Sequence, residues 1–215
     1  LSSSSAASDV YKRQVLGFEE SAIIYNSTVV EEQQIALGVR KEGNLGAKDG
    51  EISLNANYTG LAYKYPPGLS VNDQGGWYDS VMRGCRCEGW GVGWISSYGK
   101  KTHGRANLSS GGVRNVVVNS FVADETSITS KVTLSAAPEV YLNGFPELQV
   151  THRYGPAPKV PGVFFQALVT ITNVSKTTLK DVRYNRTMDW DIYPTEYNEY
   201  VSVKGAAASK ASSNT

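Results

Sequence analysis

The sequence predicts an all-β protein, a single antiparallel β-sandwich of about nine to eleven strands. Three observations carry this expectation. Composition is the first: 21 glycines, 13 tyrosines, 8 prolines and 4 tryptophans stand among 215 residues, and no Ala/Leu/Glu/Lys stretch is long enough for an interior helix. The second is a two-residue apolar period in several short runs, the pattern of a half-buried strand. The third is punctuation. The runs are joined by Gly, Pro, Asn and Asp turns, and no segment repeats at a fixed period, so parallel α/β, propeller and solenoid folds have no support.

Taken in order, residues 1–14 (LSSSSAASDVYKRQ) lack patterning and are set outside the fold. Residues 16–24 read as a weak strand ending at an Asn26-Ser27 turn, and residues 33–39 as its neighbour, with Ile35, Leu37 and Val39 on one side. KEGNLGAKDG, residues 41–50, reads as a loop. Ile52, Leu54, Ala56 and Tyr58 alternate cleanly and predict a strand, whereas residues 63–76, with Pro66 and Pro67, read as a connection. In EGWGVGW, residues 88–94, the side chains of Trp90, Val92 and Trp94 share one face and the other face carries only Gly89, Gly91 and Gly93. The tryptophans are expected in the core, and the bare face admits a backbone, a ring or a ligand at close range. Residues 99–112 read as a polar loop, 113–121 and 128–135 as strands with Ile128, Val132 and Leu134 inward, and 148–154 as a further strand.

The richest stretch is residues 162–203. Residues 164–172 form one strand, a turn follows at Asn173, Ser175 and Lys176, and a second strand starts at Leu179. Val182, Tyr184, Met188, Trp190 and Ile192 should face the core, and the two strands should pair as an antiparallel hairpin. Arg186 falls on the apolar side, which requires a bulge or a guanidinium paired to a carboxylate at the core rim. One domain over residues 15–203 is expected, with 204–215 a loop or truncated end.

A formal net charge of +1 gives no reason to expect nucleic acid, and no apolar run approaches the roughly 18 residues that span a bilayer. Neither partner is expected. Cys85 and Cys87 are the only cysteines. An extended chain would hold their Cα atoms about 6.5–7 Å apart, so a disulfide needs a local bend, which Gly84 permits; a zinc site recruiting His103 and His152 is the alternative. No GxSxG, HExxH or phosphate-cradling motif occurs, and a strand histidine such as His152 is expected to be a core or rim residue, so no catalytic residue and no cofactor is assigned. Asp189 and Asp191 are expected to pair with Arg183 or Arg186, the alternative being calcium held by Asp189, Asp191 and Glu196. Trp77, Tyr78, Trp90 and Trp94 are the candidate stacking platforms of a carbohydrate-binding alternative.

CRCEGWGVGW at residues 85–94, VTITNVS at 169–175 and DVRYNRTMDWDIYPTEYNEYVSV at 181–203 resemble segments of a group of bacterial extracellular β-sandwich proteins, some ending in PEP-type surface-sorting tails. The resemblance implies a non-catalytic structural or adhesive module, secreted or cell-surface, whose partner is an extracellular polysaccharide or surface matrix. DVYKRQ at residues 9–14 resembles the in-frame translation of a sequencing-adapter end, which implies an incomplete fragment of an environmental gene. Deleting residues 1–14 should leave the thermal midpoint unchanged, and a fall of more than a few degrees in a melting scan would show that they belong to the fold.

Overall fold

The computed structural model describes residues 20–48, 52–54, 56–67, 75–109, 111–136 and 145–200. Residues 1–14 and 204–215, on which two of the expectations fall, lie outside them. The described residues form eleven strands: β1 (Ser21–Tyr25), β2 (Ile35–Arg40), β3 (Leu61–Tyr65), β4 (Gly76–Asp79), β5 (Gly89–Ile95), β6 (Lys101–Asn107), β7 (Val117–Ala123), β8 (Ile128–Ser135), β9 (Pro146–Pro156), β10 (Phe165–Asn173) and β11 (Lys180–Thr187). They pair in three sheets, β1-β2-β3-β4, β10-β9-β8-β7 and β11-β5-β6. Every strand pairing is antiparallel.

The two-residue period of β8 decides where the core sits. Ile128, Ser130, Val132 and Leu134 are buried while the residues between them are half-exposed, and the buried face is shared by two hydrophobic clusters. At one end Ile128 and its cross-strand partner Tyr154 meet Ile24, Leu37, Val39 and Leu45 from the first sheet and the turn after it. At the other end Val132, Leu134, Leu148 and Val150 meet Trp90, Val92, Trp94 and Ala106. One continuous face of β8 and β9 thus backs both of the other sheets. Trp90 and Trp94 are core residues, 2% and 3% exposed, as their spacing predicts.

Between β2 and the next segment the chain makes a turn at residues 41–45 that is buried, not on the surface. Its peptide groups are met by side chains from three strands or their flanks: Ser130 Oγ donates to Lys41 O (2.6 Å), Trp90 Nε1 to Glu42 O (2.9 Å) and Tyr154 Oη to Gly43 O (2.6 Å), while Leu45 N donates to Glu88 Oε2 (2.5 Å). Buried backbone groups must be paired, and here long polar side chains do what a ladder does elsewhere. Gly43 is required twice over. Its φ is +85°, and a Cβ would lie 2.5 Å from His152 Nδ1.

Several expected elements are corrected. The alternating run at residues 52–58 forms no named strand among the described residues: Ser53 makes a single parallel bridge to Trp77 and Leu54 is 66% exposed. Its place beside β2 is taken by Gly60, which accepts from Gly38 N at 2.8 Å, and by β3, which occupies the start of the expected connection at 63–76. The polar run read as a loop at 99–112 contains β6. Its inward positions are the small Gly104 and Ala106 under Leu134 and the tryptophans, so apolar periodicity has little to show there. The expected β10–β11 hairpin does not form. β10 pairs with β9 and β11 with β5, so residues 174–179 arch from one sheet to another, with Asn173 organising the turn by accepting from Ser175 N (2.9 Å) and donating to Thr177 O (2.7 Å). Beyond Thr187 the chain leaves the ladder, and Met188 and Ile192 are 38% and 40% exposed instead of buried.

Replacing Trp90 with alanine should destabilise the protein by about 3–5 kcal/mol through lost packing, with the carbonyl of Glu42 left unpaired. Urea denaturation followed by far-ultraviolet circular dichroism reads this directly, and a midpoint equal to the wild type would contradict the core assignment.

Candidate functional site

The outer face of β11-β5-β6 is a polar-walled trough. Antiparallel register places side chains from directly opposed residues on one face, and three rungs cross the sheet: Arg183–Gly93–His103, Asn185–Gly91–Arg105 and Thr187–Gly89–Asn107. The middle strand contributes no side chain to any rung. Its backbone is the floor of a trough of about 510 Å³, walled by β11 and β6, which stand roughly 9–10 Å apart across two ladder spacings. Both walls carry a guanidinium. Arg183 Nε pairs with Asp181 Oδ1 at 2.7 Å, with both side chains exposed, while Arg105 holds the strand edge through reciprocal backbone bonds with Arg114 at 3.0 and 2.9 Å.

Gly89 is forced by packing, since a Cβ there would come within 2.5 Å of Asn107 Cβ. Gly91 and Gly93 are not. A Cβ at Gly91 would meet Gly104 O at 3.6 Å and Arg105 Cβ at 3.8 Å, and one at Gly93 would meet only Thr102 O at 3.7 Å, all ordinary contacts. Neither residue is among the glycines with positive φ.

Behind this sheet lies an enclosed polar cluster. Arg186 Nη2 stands 2.7 Å from Glu88 Oε1, with side-chain exposures of 15% and 0%, and Arg186 Nη1 donates to Tyr154 Oη at 2.6 Å. The expected guanidinium–carboxylate pairing at the core rim is therefore present, but with Glu88 and not with Asp189 or Asp191. The register shift lies earlier, between Lys180 and Arg183, where Asp181 has φ 51°. His152, 0% exposed, sits with Nε2 3.0 Å from Tyr184 Oη and its ring 4.8 Å from that of Trp90. Burial, with the Arg186 charge adding to it, drives its pKa down to about 3. Burial raises the Glu88 carboxyl against the pull of Arg186. His152 is the core histidine expected from its strand position. His103 is a wall residue of the trough on β6 and not a loop residue, so the two histidines do not converge on Cys85 and Cys87.

Those cysteines are joined by a disulfide, with Cα atoms 5.2 Å apart. The approach closer than an extended chain allows comes from Arg86, the residue between them, at φ 53°; the bend is there and not at Gly84, whose own φ of 72° does not enter that distance. Asp189 Oδ2 lies 3.0 Å from Cys85 Sγ, but with both sulfurs in the disulfide the cluster of Cys85, Cys87 and Asp189 offers a metal one carboxylate and no thiolate. Asp191 is 3% exposed, its backbone N donating to Ser80 O at 2.8 Å. Burial and then the neighbouring Asp189 and Glu199 raise its pKa. Glu196 is ion-paired with Arg83, and Glu199 Oε1 accepts from Ile192 N at 2.7 Å. Neither carboxylate expected to seek Arg183 or Arg186 pairs with one: Asp189 faces the disulfide sulfur of Cys85, and Asp191 Oδ2 is buried with no hydrogen-bond partner among the described residues. Of the candidate stacking rings, Trp90 and Trp94 are enclosed, Tyr78 stacks on Tyr193 with centroids 4.5 Å apart, and Trp77 packs edge-on to Tyr25 at 5.8 Å.

Sequence reading did not find Glu88, Glu147 or Asp79, each at most 1% exposed. Glu147 accepts from Trp94 Nε1 (2.6 Å) and Ser97 N (2.7 Å), and Asp79 from Gly60, Val81 and Met82 backbone N–H groups at 2.6–2.8 Å. No family model, no curated protein and no solved structure shows significant similarity to the chain.

The His152 shift has a definite sign. Its folded pKa lies below the unfolded value of about 6.5, so the unfolded chain binds the extra proton between these values, and the contribution of His152 to stability is intact above about pH 6.5 and is lost as pH falls toward 3. Glu88, whose pKa is raised, works in the opposite sense as it protonates. Comparing wild type with His152→Gln isolates the histidine: the stability difference between the two should shrink by at most about 1.4 kcal/mol per pH unit between pH 6 and 4. A pH-independent difference would contradict a buried neutral imidazole.

Proposed function

We propose that the chain is a non-catalytic adhesive module of a secreted or cell-surface bacterial protein, and that it holds an acidic polysaccharide along the trough across β11, β5 and β6. In this reading β1-β2-β3-β4 and β11-β5-β6 lie side by side as one layer of a sandwich over β10-β9-β8-β7. The observation that carries the binding reading is the pair Gly91 and Gly93. Each glycine in a strand interior costs roughly 0.5–1 kcal/mol relative to alanine, yet neither backbone angle nor packing asks for it here. What their absence of side chains does supply is a flat floor that a sugar ring can approach.

The walls match that ligand. Asn185, Asn107 and Thr187 offer donors and acceptors for hydroxyls, and Arg105 and Arg183 offer charge-assisted donors for carboxylates. Rungs repeat about every 6.8 Å along the strands, so an extended chain meets a wall group on both sides at each step. The Cys85–Cys87 bond supports an oxidising compartment.

Affinity electrophoresis through polygalacturonate and alginate, with dextran as the neutral control, tests the reading. Wild type should be retarded by the acidic polymers, and added salt should weaken the effect. Gly91→Val should melt at or above the wild-type temperature and lose at least tenfold in affinity, with Arg105→Ala reducing affinity and its salt dependence together. Undiminished retardation of Gly91→Val, or none of the wild type, would overturn it.

A further inference from the structure

A second concavity, separate from the trough, lies between the first sheet and the segments that cross its inner face. It has a volume of about 470 Å³, within the range of small-molecule sites. Ile35, Leu37 and Leu61 form one wall, and Phe165, Met188 and Trp190 stand opposite. Its mouth is rimmed by exposed apolar side chains, Val163 (61%), Phe164 (62%), Met188 (38%) and Ile192 (40%).

The polar groups in the lining decide the ligand class. Tyr63 Oη donates to Tyr193 O at 2.7 Å, Ser80 Oγ to Leu61 O at 2.7 Å and Tyr154 Oη to Gly43 O at 2.6 Å. Arg186 donates to Tyr154 and is ion-paired with Glu88, and its Nε, which has no hydrogen-bond partner among the described residues, is buried away from the surface. The three hydroxyl donors satisfy the protein itself, which leaves the indole N–H of Trp190 and the rim amide of Gln166 at the surface for an incoming acceptor. A polar ligand such as a sugar would lose its water hydrogen bonds here without replacement, at a cost of about 1–3 kcal/mol per group. A hydrocarbon gains roughly 25 cal/mol for each Å² it removes from water. We infer that this cavity binds the hydrocarbon chain of a single-chain amphiphile, with the head group left at the mouth beside Gln166.

The inference does not depend on the trough, and one variant separates the two. Ala167 lines the cavity from β10 and is exposed, so Ala167→Phe should plug it without disturbing the buried clusters. Leu168 points to the other face of β10 and is 54% exposed, which makes Leu168→Ala the control. With 1-N-phenylnaphthylamine as a fluorescent probe, wild type and Leu168→Ala should show saturable binding that decanoic acid displaces. Ala167→Phe should bind at least tenfold more weakly while keeping its melting temperature and its retardation by acidic polysaccharide. Three results would overturn the proposal: no saturable binding to wild type, undiminished binding to Ala167→Phe, or probe binding that appears only when residues 201–215 are removed, which would make the chain itself the occupant. Sedimentation with phosphatidylcholine vesicles without displacement of the probe by decanoic acid would also overturn it, by making the rim a membrane-docking face.

Discussion

The buried turn at residues 41–45 is the constraint around which the described structure is arranged. A turn placed in a core strands carbonyl and amide groups that water would otherwise satisfy, and each one left unpaired costs about 1–3 kcal/mol. Ser130, Trp90, Tyr154 and Glu88 meet four of them. These residues come from β8, β5, β9 and the approach to β5, so the turn is bonded to two sheets while belonging to the chain of the third. Glu88 would be an isolated buried charge without Arg186, and losing one partner of such a pair costs about 3–5 kcal/mol. β11 is therefore tied to β5 by more than its ladder: its arginine completes the polar cluster that seats the turn.

That tie also accounts for where the polypeptide parts from β10. Because Arg186 must reach Glu88 beside β5, β11 joins the β5-β6 sheet, and the arch at 174–179 changes sheet instead of closing a hairpin. Two surface features follow. β11 becomes one wall of the glycine-floored trough, and the chain beyond Thr187 crosses the first sheet, where Met188, Trp190 and Ile192 form one side of the apolar cavity. A polar trough and an apolar cavity present opposite chemistry because one is floored by bare backbone between polar walls and the other is lined almost wholly by apolar side chains.

Sequence proximity accounts for one of the two arginine pairings of β11 and not for the other. Arg183 takes the exposed Asp181, an ion pair that solvent screening makes worth little. Arg186 takes Glu88, distant in sequence but adjacent across the β5–β11 ladder. The Asp189 carboxylate faces the Cys85–Cys87 disulfide, while Asp191 meets Ser80 only through its backbone N–H.

Local periodicity was enough to determine the class of the fold and much of its core. The inward set Ile128, Val132 and Leu134, the enclosed tryptophans of β5 and the bare glycine face behind them all follow from alternation, because a pleated strand sends successive side chains to opposite faces whatever its partners. Alternation could not say which strand pairs with which. The run at 52–58 has the better pattern but finds no ladder, while β6, with glycine and alanine inward, has almost no pattern and is a strand because large side chains from β5 and β8 leave room only for small ones beneath them. The carboxyls of Glu88, Glu147 and Asp79 carry no sequence signal either, since their burial depends on donors from distant parts of the chain, Arg186 for Glu88 and Trp94 for Glu147. Tertiary structure alone decided these, because hydrogen-bond satisfaction in a core is a property of what surrounds a group and not of its neighbours along the chain.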